Sequence, residues 1–198
     1  MKRRDFIRTT SAGALLAAGS ATAQPKMKTP WDWTDENGLA RFLKEDPTPL
    51  ENEFEKYPRC PYCGMMRKQW SHTRHLIHFE DETVDATCSI HCAAISLSLN
   101  MDRGPRVIYA GDAGAEGEVK PLVDTAGMSY VIDPAKMGTM TKVSKWAYAE
   151  TAAAEAAAGE GATLVGFDDA LRAAFASMAE DTIAIRKRRA ERRARAAN

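Results

Sequence analysis

Apolar positions recur along the chain with two periods, and the order in which those periods alternate predicts an α+β fold. Gln69 to Phe79 reads as a strand through Leu76 and Ile77, and Asp81-Glu82 as a turn into a second strand over Thr83 to Thr87. A helix then starts near Ser89, a residue suited to an N-cap, and runs to about Asn100 with Ile95, Leu97 and Leu99. Pro105 to Ala110 is a further strand, followed by a loop rich in Gly and acid over Gly111 to Glu118 and strands near Val119 to Val123 and Gly127 to Ile132. After a loop from Asp133 to Met140 come a strand over Val143 to Ala149, an Ala-rich helix over Glu150 to Ala158 ended by Gly159, and a strand over Ala162 to Phe167. Strand, strand, helix recurs in that list, so the body reads as two small strand-strand-helix units, without enough identity between them to mark a repeat. A last helix begins at Asp168 or Asp169, carries Leu171, Phe175, Met178 and Ile183 as its stripe, and ends in a protruding basic tail.

The ends of the chain change the picture. Lys2-Arg3-Arg4-Asp5-Phe6-Ile7-Arg8 is a twin-arginine element, followed by the apolar run Ala12 to Ala18 and a small-x-small site at Ala21-Thr22-Ala23. Residues 1–23 are therefore expected to be a cleaved export signal read by the twin-arginine machinery, with a periplasmic destination. Residues 24–57, with Trp31, Trp33 and several prolines, read as an extended N-terminal arm with a short helix around Glu36 to Lys44, its tryptophans packing the arm on the body. Residues 58–170 form the main domain, and 171–198 the C-terminal helix with its basic tail.

Charge excludes some classes of function. From Gln24 to Ile185 there are 16 Lys/Arg against 25 Asp/Glu, net −9, whereas Arg186 to Asn198 holds seven Lys/Arg and one Glu. An acidic body argues against a nucleic-acid surface. No second apolar run is long enough for stable membrane insertion. No nucleophile, general base and oxyanion donor stand out together, so no catalytic residues are assigned and the chain does not read as an enzyme. The basic tail is expected to be solvated, its charges complementing the helix dipole.

The chemistry is in the sulfur. Cys60-Pro61-Tyr62-Cys63-Gly64-Met65-Met66 packs two thiols and two thioethers into seven residues, and Cys88-Ser89-Ile90-His91-Cys92 holds the remaining cysteines. Four readings compete. Cys-x2-Cys, 24 residues, then Cys-x3-Cys suits a four-thiolate structural Zn(II) site, which has no use for the methionines. Disulfides fit an oxidising compartment, but Cys-x2-Cys closes too small a loop to stabilise much. A thiol-disulfide enzyme needs an apolar strand before the first cysteine, where this chain has charged, proline-broken residues from Glu53 to Arg59. Cu(I), which favours thiolate and thioether ligands, uses both kinds of sulfur. Cys88 lies just before a helix N-terminus, where a thiol is expected to have a lowered pKa. His91 lies inside the second cluster and is a candidate ligand, whereas His72, His75 and His78 read as ordinary strand residues.

Cys60-Pro61-Tyr62-Cys63-Gly64-Met65 resembles the Cys-Pro-x-Cys-Gly-Met signature of the NosL family, Cu(I)-binding accessory proteins of nitrous oxide reductase. The order that follows also resembles that family: a strand pair into Cys88-Ser89 at a helix start, a Gly-x-Met loop at Gly138-Thr139-Met140, an Ala-rich helix, and a strand into Phe167-Asp168-Asp169. The resemblance covers roughly Pro58 to Leu171. It implies two related strand-strand-helix units, with Cys60, Cys63 and Met65 as first-cluster ligands and Met140 as a remote thioether. The full candidate set is Cys60, Cys63, Met65, Met66, Cys88, His91, Cys92 and Met140, for Cu(I) with Zn(II) as the alternative. The implied partner is a client copper enzyme, nitrous oxide reductase. Many family members carry a lipid-anchoring cysteine, and no cysteine follows the apolar run here.

Overall fold

The computed structural model describes residues 42–196 together with Asp32 and Glu36. The signal over 1–23, the arm's Trp31 and Trp33 and most of the helix expected around Glu36 to Lys44 lie outside the described residues. Lys44 itself belongs to a strand. In chain order the elements are β1 (Lys44–Glu45), α1 (Glu53–Lys56), β2 (His75–Phe79), β3 (Thr83–Thr87), α2 (Ile90–Leu99), β4 (Pro105–Gly111) and β5 (Leu122–Asp124). A 3-10 turn at Thr125–Gly127 leads to β6 (Ser129–Asp133), β7 (Ser144–Tyr148), α3 (Thr151–Ala157), β8 (Thr163–Val165) and α4 (Phe167–Ala196).

Two antiparallel sheets result, one ordered β1-β3-β2-β4-β5 and the other β7-β6-β8. The expected pair of units is present in the connectivity: β2-β3-α2-β4 and β6-β7-α3-β8 each place the first strand between the second and the third. β2 is the central strand of the larger sheet and is buried along its whole length. That burial explains why its pattern is not a clean alternation. Its two histidines are held as hydrogen-bonded polar groups: the His75 ring meets Thr73 O (2.9 Å) and the Tyr130 hydroxyl (3.0 Å), and His78 Nε2 meets Glu82 Oε2 (2.9 Å).

The strand expected from Gln69 starts only at His75. Residues before it turn instead, with the Trp70 N–H donating to Met66 O (3.3 Å) and those of Thr73 and Arg74 to Trp70 O (3.0 Å each). This turn is pressed against the end of β4, where a Cβ on Gly111 would stand 2.0 Å from Ser71 O. Only glycine allows that approach.

The sheets are joined at Asp112. Its Oδ1 accepts from the Ala149 N–H (3.1 Å), and the next residue, Ala113, donates its N–H to Ala147 O (2.8 Å). A shared core of Ile90 and Ala94 from α2, Ala110, Met128, Tyr130, Ala147 and Ala170 and Ala174 from α4 fills the space between. Asp168 and Asp169, expected as the cap, are instead the second and third residues of α4, where they favour the positive end of the helix dipole. Among the described residues no helix is long and apolar enough to cross a membrane.

Candidate metal centre

Pro58 to Arg67 folds back on itself as a knuckle. The Cys60 N–H donates to Met65 O (2.9 Å), the Gly64 N–H to Cys60 O (2.9 Å) and the Arg67 N–H to Pro58 O (3.0 Å). Gly64 closes the turn at φ +77°, a conformation other residues adopt only with strain. The knuckle is tied down from the side by Tyr62, whose hydroxyl donates to Asp85 Oδ2 on β3; Ser96 Oγ on α2 donates to the same oxygen at 2.6 Å.

The second pair of thiols comes from the β3–α2 corner. Cys88 follows the last residue of β3, and Cys92 lies in the first turn of α2. Ser89 occupies the N-cap position without a side-chain cap bond. The corner is fixed from two directions: the Thr73 hydroxyl donates to Cys88 O (2.9 Å), and Arg67 Nε to Thr87 O (3.2 Å). Knuckle and corner meet so that the Sγ atoms of Cys60, Cys63, Cys88 and Cys92 all lie within 4.8 Å of one another. Cys63 and Cys88 are 3.3 Å apart, Cys88 and Cys92 3.8 Å, Cys63 and Cys92 3.9 Å. Four sulfurs about 2.3 Å from one ion in a tetrahedron stand about 3.8 Å apart. The spacing therefore suits a single ion with thiolate ligands. Cys60, Cys88 and Cys92 are buried, while Cys63 is half-exposed and opens the cluster to one side.

Charge within the cluster is unequal. Hydrogen bonds from the Cys88 and Cys92 thiols, with the Tyr62 and Cys63 amides adding to them, hold the Cys60 thiol far below the ordinary range in spite of its burial. Cys88 and Cys92 are pushed upward, first because their protons serve Cys60. The lowered pKa expected for Cys88 from its helix terminus thus falls to Cys60 instead. The Arg67 guanidinium, wholly buried, contributes an attractive charge near Cys60 and is itself bound to Glu53 Oε2 (2.8 Å). Glu53 also holds Arg74, making a buried triad of two cations and one anion behind the sulfurs.

The other candidates are placed differently. Met65 is half-buried and packs against the cysteines. Met66, next in sequence, is exposed, as are Met137 and Met140. Met140 has φ +66°, in a loop whose preceding Thr139 shares a 2.9 Å hydroxyl–hydroxyl bond with Thr73. Since Thr73 also holds Cys88 O, the Gly138-Thr139-Met140 loop of the second unit is moored beside the corner of the first. Gly138 is required there, because a Cβ would meet Thr141 Cγ2 and Val143 O at 2.6 Å. His91 is buried, lies outside the four-sulfur group, and has an Nδ1 with no hydrogen-bond partner among the described residues. Burial and then the Lys145 charge lower its pKa, while Asp181 on α4 acts in the opposite direction.

The residues that support the site, Glu53, Arg67, Tyr62, Asp85, Ser96, Thr73 and Thr139, did not emerge from the sequence pattern. The one local sign was Asp85, a carboxylate in the middle of an otherwise sheet-forming run.

Comparison with known proteins gives the site a context. No curated protein matches the chain. Among solved structures, a crystal structure of the copper chaperone NosL from Shewanella denitrificans is similar at 20% identity and a TM-score of 0.45, over 56% of this chain and 87% of that one. The NosL family profile matches residues 51–175, a span holding the knuckle, the β3–α2 corner, the Met140 loop and the start of α4. On that match over more than half its length, the chain belongs to the NosL family.

Proposed function

We propose that this protein is a periplasmic Cu(I) carrier that delivers copper to an exported copper enzyme, with nitrous oxide reductase as the client. The observation that carries the reading is a donor set made of sulfur: four thiols within 4.8 Å, with the Met65 side chain packed against them and Cys63 at the surface. Soft donors favour Cu(I), and binding displaces thiol protons, so Cys60, whose pKa the neighbouring thiols lower, is the natural first ligand. The half-exposed Cys63 is where an incoming sulfur or imidazole from a client reaches the ion, so ligands exchange one at a time and copper is never released to water. On this reading Met66, His91 and Met140 are outer candidates, with the Met140 loop moored close enough to the corner to close over the cargo. The twin-arginine segment over 1–23, the arm over 24–57, the metal-binding domain over 58–170 and the C-terminal helix with its basic tail over 171–198 complete the assignment.

A second reading has its own observation. Sulfur spacings of 3.8 and 3.9 Å fit tetrahedral thiolate coordination, which Zn(II) also adopts. Titrating the reduced protein with Cu(I) and with Zn(II) against a competing chelator separates the two. A carrier takes Cu(I) in preference, and Met65→Ala and Met140→Ala each weaken Cu(I) binding without altering the fold. Zinc retained through purification and not displaced by Cu(I), with both methionine variants unchanged, would establish a structural zinc module instead.

A further inference from the structure

The long C-terminal helix divides sharply in burial and in charge. Up to Asp181 it packs on the core through Ala170, Leu171, Ala174 and Met178, and Ser177 Oγ accepts from Lys145 Nζ at 3.2 Å. From Thr182 to Ala196 every residue is exposed, an overhang of about 22 Å at 1.5 Å per residue. The packed part, Phe167 to Asp181, has four acidic side chains and one basic one; Thr182 to Ala196 has seven basic and one acidic.

The basic residues are not spread evenly around the rod. At about 100° per residue, Arg186, Arg188, Arg189, Arg192, Arg193 and Arg195 fall within one half of the circumference. Lys187, Ala190, Glu191 and Ala194 occupy the other half. Complementing the helix dipole, a partial charge of about one half felt within the last turn, does not call for six arginines over three turns.

We infer that this face is a reversible docking surface for an anionic phospholipid membrane. The exposed arginines supply the headgroup contacts, because a guanidinium binds a phosphate oxygen pair in a fixed fork. A cluster of four to eight basic residues on a helix is enough to hold a protein at such a surface electrostatically. One feature favours lipid over a protein partner. A protein groove needs a cluster of apolar or aromatic anchors, whereas the exposed stretch from Thr182 to Ala196 has no aromatic residue and its large apolar side chains are Ile183 and Ile185 alone, both at the end nearest the body. The overhang also matters to the rest of the chain. Along the helix axis, Arg188 to Arg195 stand more than the Debye length of about 8 Å beyond the packed part at physiological salt, so the −9 body screens little of their charge. The arginine face carries one large apolar side chain, Ile185, too little to anchor the helix in the bilayer core, so the attachment is peripheral and sensitive to salt.

The test is co-sedimentation of the full chain with phosphatidylcholine vesicles and with vesicles carrying about a third phosphatidylglycerol. Its control is the same chain with R188Q, R189Q, R192Q and R193Q, all at exposed positions. The expected result is at least tenfold stronger partition onto the anionic vesicles, abolished by the four substitutions and by half-molar salt. Equal partition onto neutral vesicles, or binding unmoved by the substitutions, overturns the inference. So does tighter binding to duplex DNA or to polyglutamate than to the vesicles at equal charge. Cu(I) affinity measured on the same variant stays at the wild-type value, so this result is separable from the fate of the carrier reading.

Discussion

The two strand-strand-helix units share one topology and differ in what fills the corner where the second strand meets the helix. In the first unit that corner is Thr87-Cys88-Ser89 leading to Cys92; in the second it is Tyr148-Ala149-Glu150 leading to Ala153 and Ala154. Sulfur gathers at the first, while the second closes over an apolar cluster of Val131, Tyr148 and Ala154. Polar groups are buried at both corners, with Asp112 on the Ala149 N–H at the second, but the first has the larger set. Behind the cysteines lie the Arg67–Glu53–Arg74 triad and the Tyr62–Asp85–Ser96 bonds. The fold therefore supplies a place, and the chemistry depends on the side chains put there and on a fixed polar lining that keeps the thiols in register. The second unit acts on the site from outside, through the Thr139–Thr73 bond that moors its loop.

The sharpest way to break this asymmetry is at the triad. Glu53→Gln leaves two buried guanidinium groups, one of them wholly inaccessible, without their counter-charge. Removing one partner of a buried ion pair costs about 3–5 kcal/mol. Urea denaturation of the metal-free protein should show a loss of that size. A change below about 1 kcal/mol would mean the triad is not what holds the first unit together.

His75 tests the seam between the units, because its ring joins β2 to Tyr130 of β6 and is completely enclosed. Burial, the leading cause, takes its pKa down from 6.5 to about 4. A native state that keeps this imidazole neutral loses ground to the unfolded chain once the latter takes up a proton. His75's contribution is thus complete above pH 6.5 and is lost between 6.5 and about 4, with no further loss below. The loss amounts to about 3 kcal/mol at 1.36 kcal/mol per pH unit. Denaturation midpoints between pH 7 and 4 for the wild type and His75→Asn check this, the variant showing a flatter profile.

Elements set by local pattern are legible in the sequence. Thr83–Thr87 and the helix following Ser89 stand where the periods put them, and the recurrence of strand, strand, helix matches the observed connectivity. The four cysteines were legible too, since no other residue type clusters so sharply. What local pattern could not convey was long-range pairing. Glu53 lies in a charged stretch that normally faces water, and only the return of Arg67 and Arg74 to the same spot makes it a core residue. Thr73 and Thr139 are 66 positions apart and meet only after both units have formed. The shortened β2 has the same origin: the turn over residues 69–73 is imposed by the backbone of Gly111, far along the chain.

A substitution confined to the second unit should separate stability from metal binding. Ala154 is fully buried between Val131 and Tyr148, so Ala154→Leu overpacks that corner. The cost is about 1–3 kcal/mol. Cu(I) affinity of the folded variant should match the wild type, since no sulfur ligand touches this cluster. An accompanying fall in affinity would mean that the units are coupled more tightly than the Thr139–Thr73 bond implies.

The smallest expected effect is also the most specific to the first corner. Tyr62→Phe keeps the ring that meets Phe42 edge-on at 5.6 Å but removes the hydroxyl that ties the knuckle to Asp85. Asp85, whose pKa burial raises, keeps its bond from Ser96, so the sheet behind is less disturbed than the turn in front. With the turn between Cys60 and Cys63 released, the four sulfurs sample wider separations and the ion leaves faster. Groups that orient metal ligands are worth about 10–100-fold in affinity, and one hydroxyl held at a single point belongs at the lower end, about tenfold. Ser96→Ala weakens Asp85 from the opposite side without touching the knuckle, and serves as the comparison. If both variants lower the melting temperature alike but only Tyr62→Phe speeds transfer of Cu(I) to a chelator, the hydroxyl positions the thiols. Equal transfer rates in the two would assign Tyr62 to the fold alone.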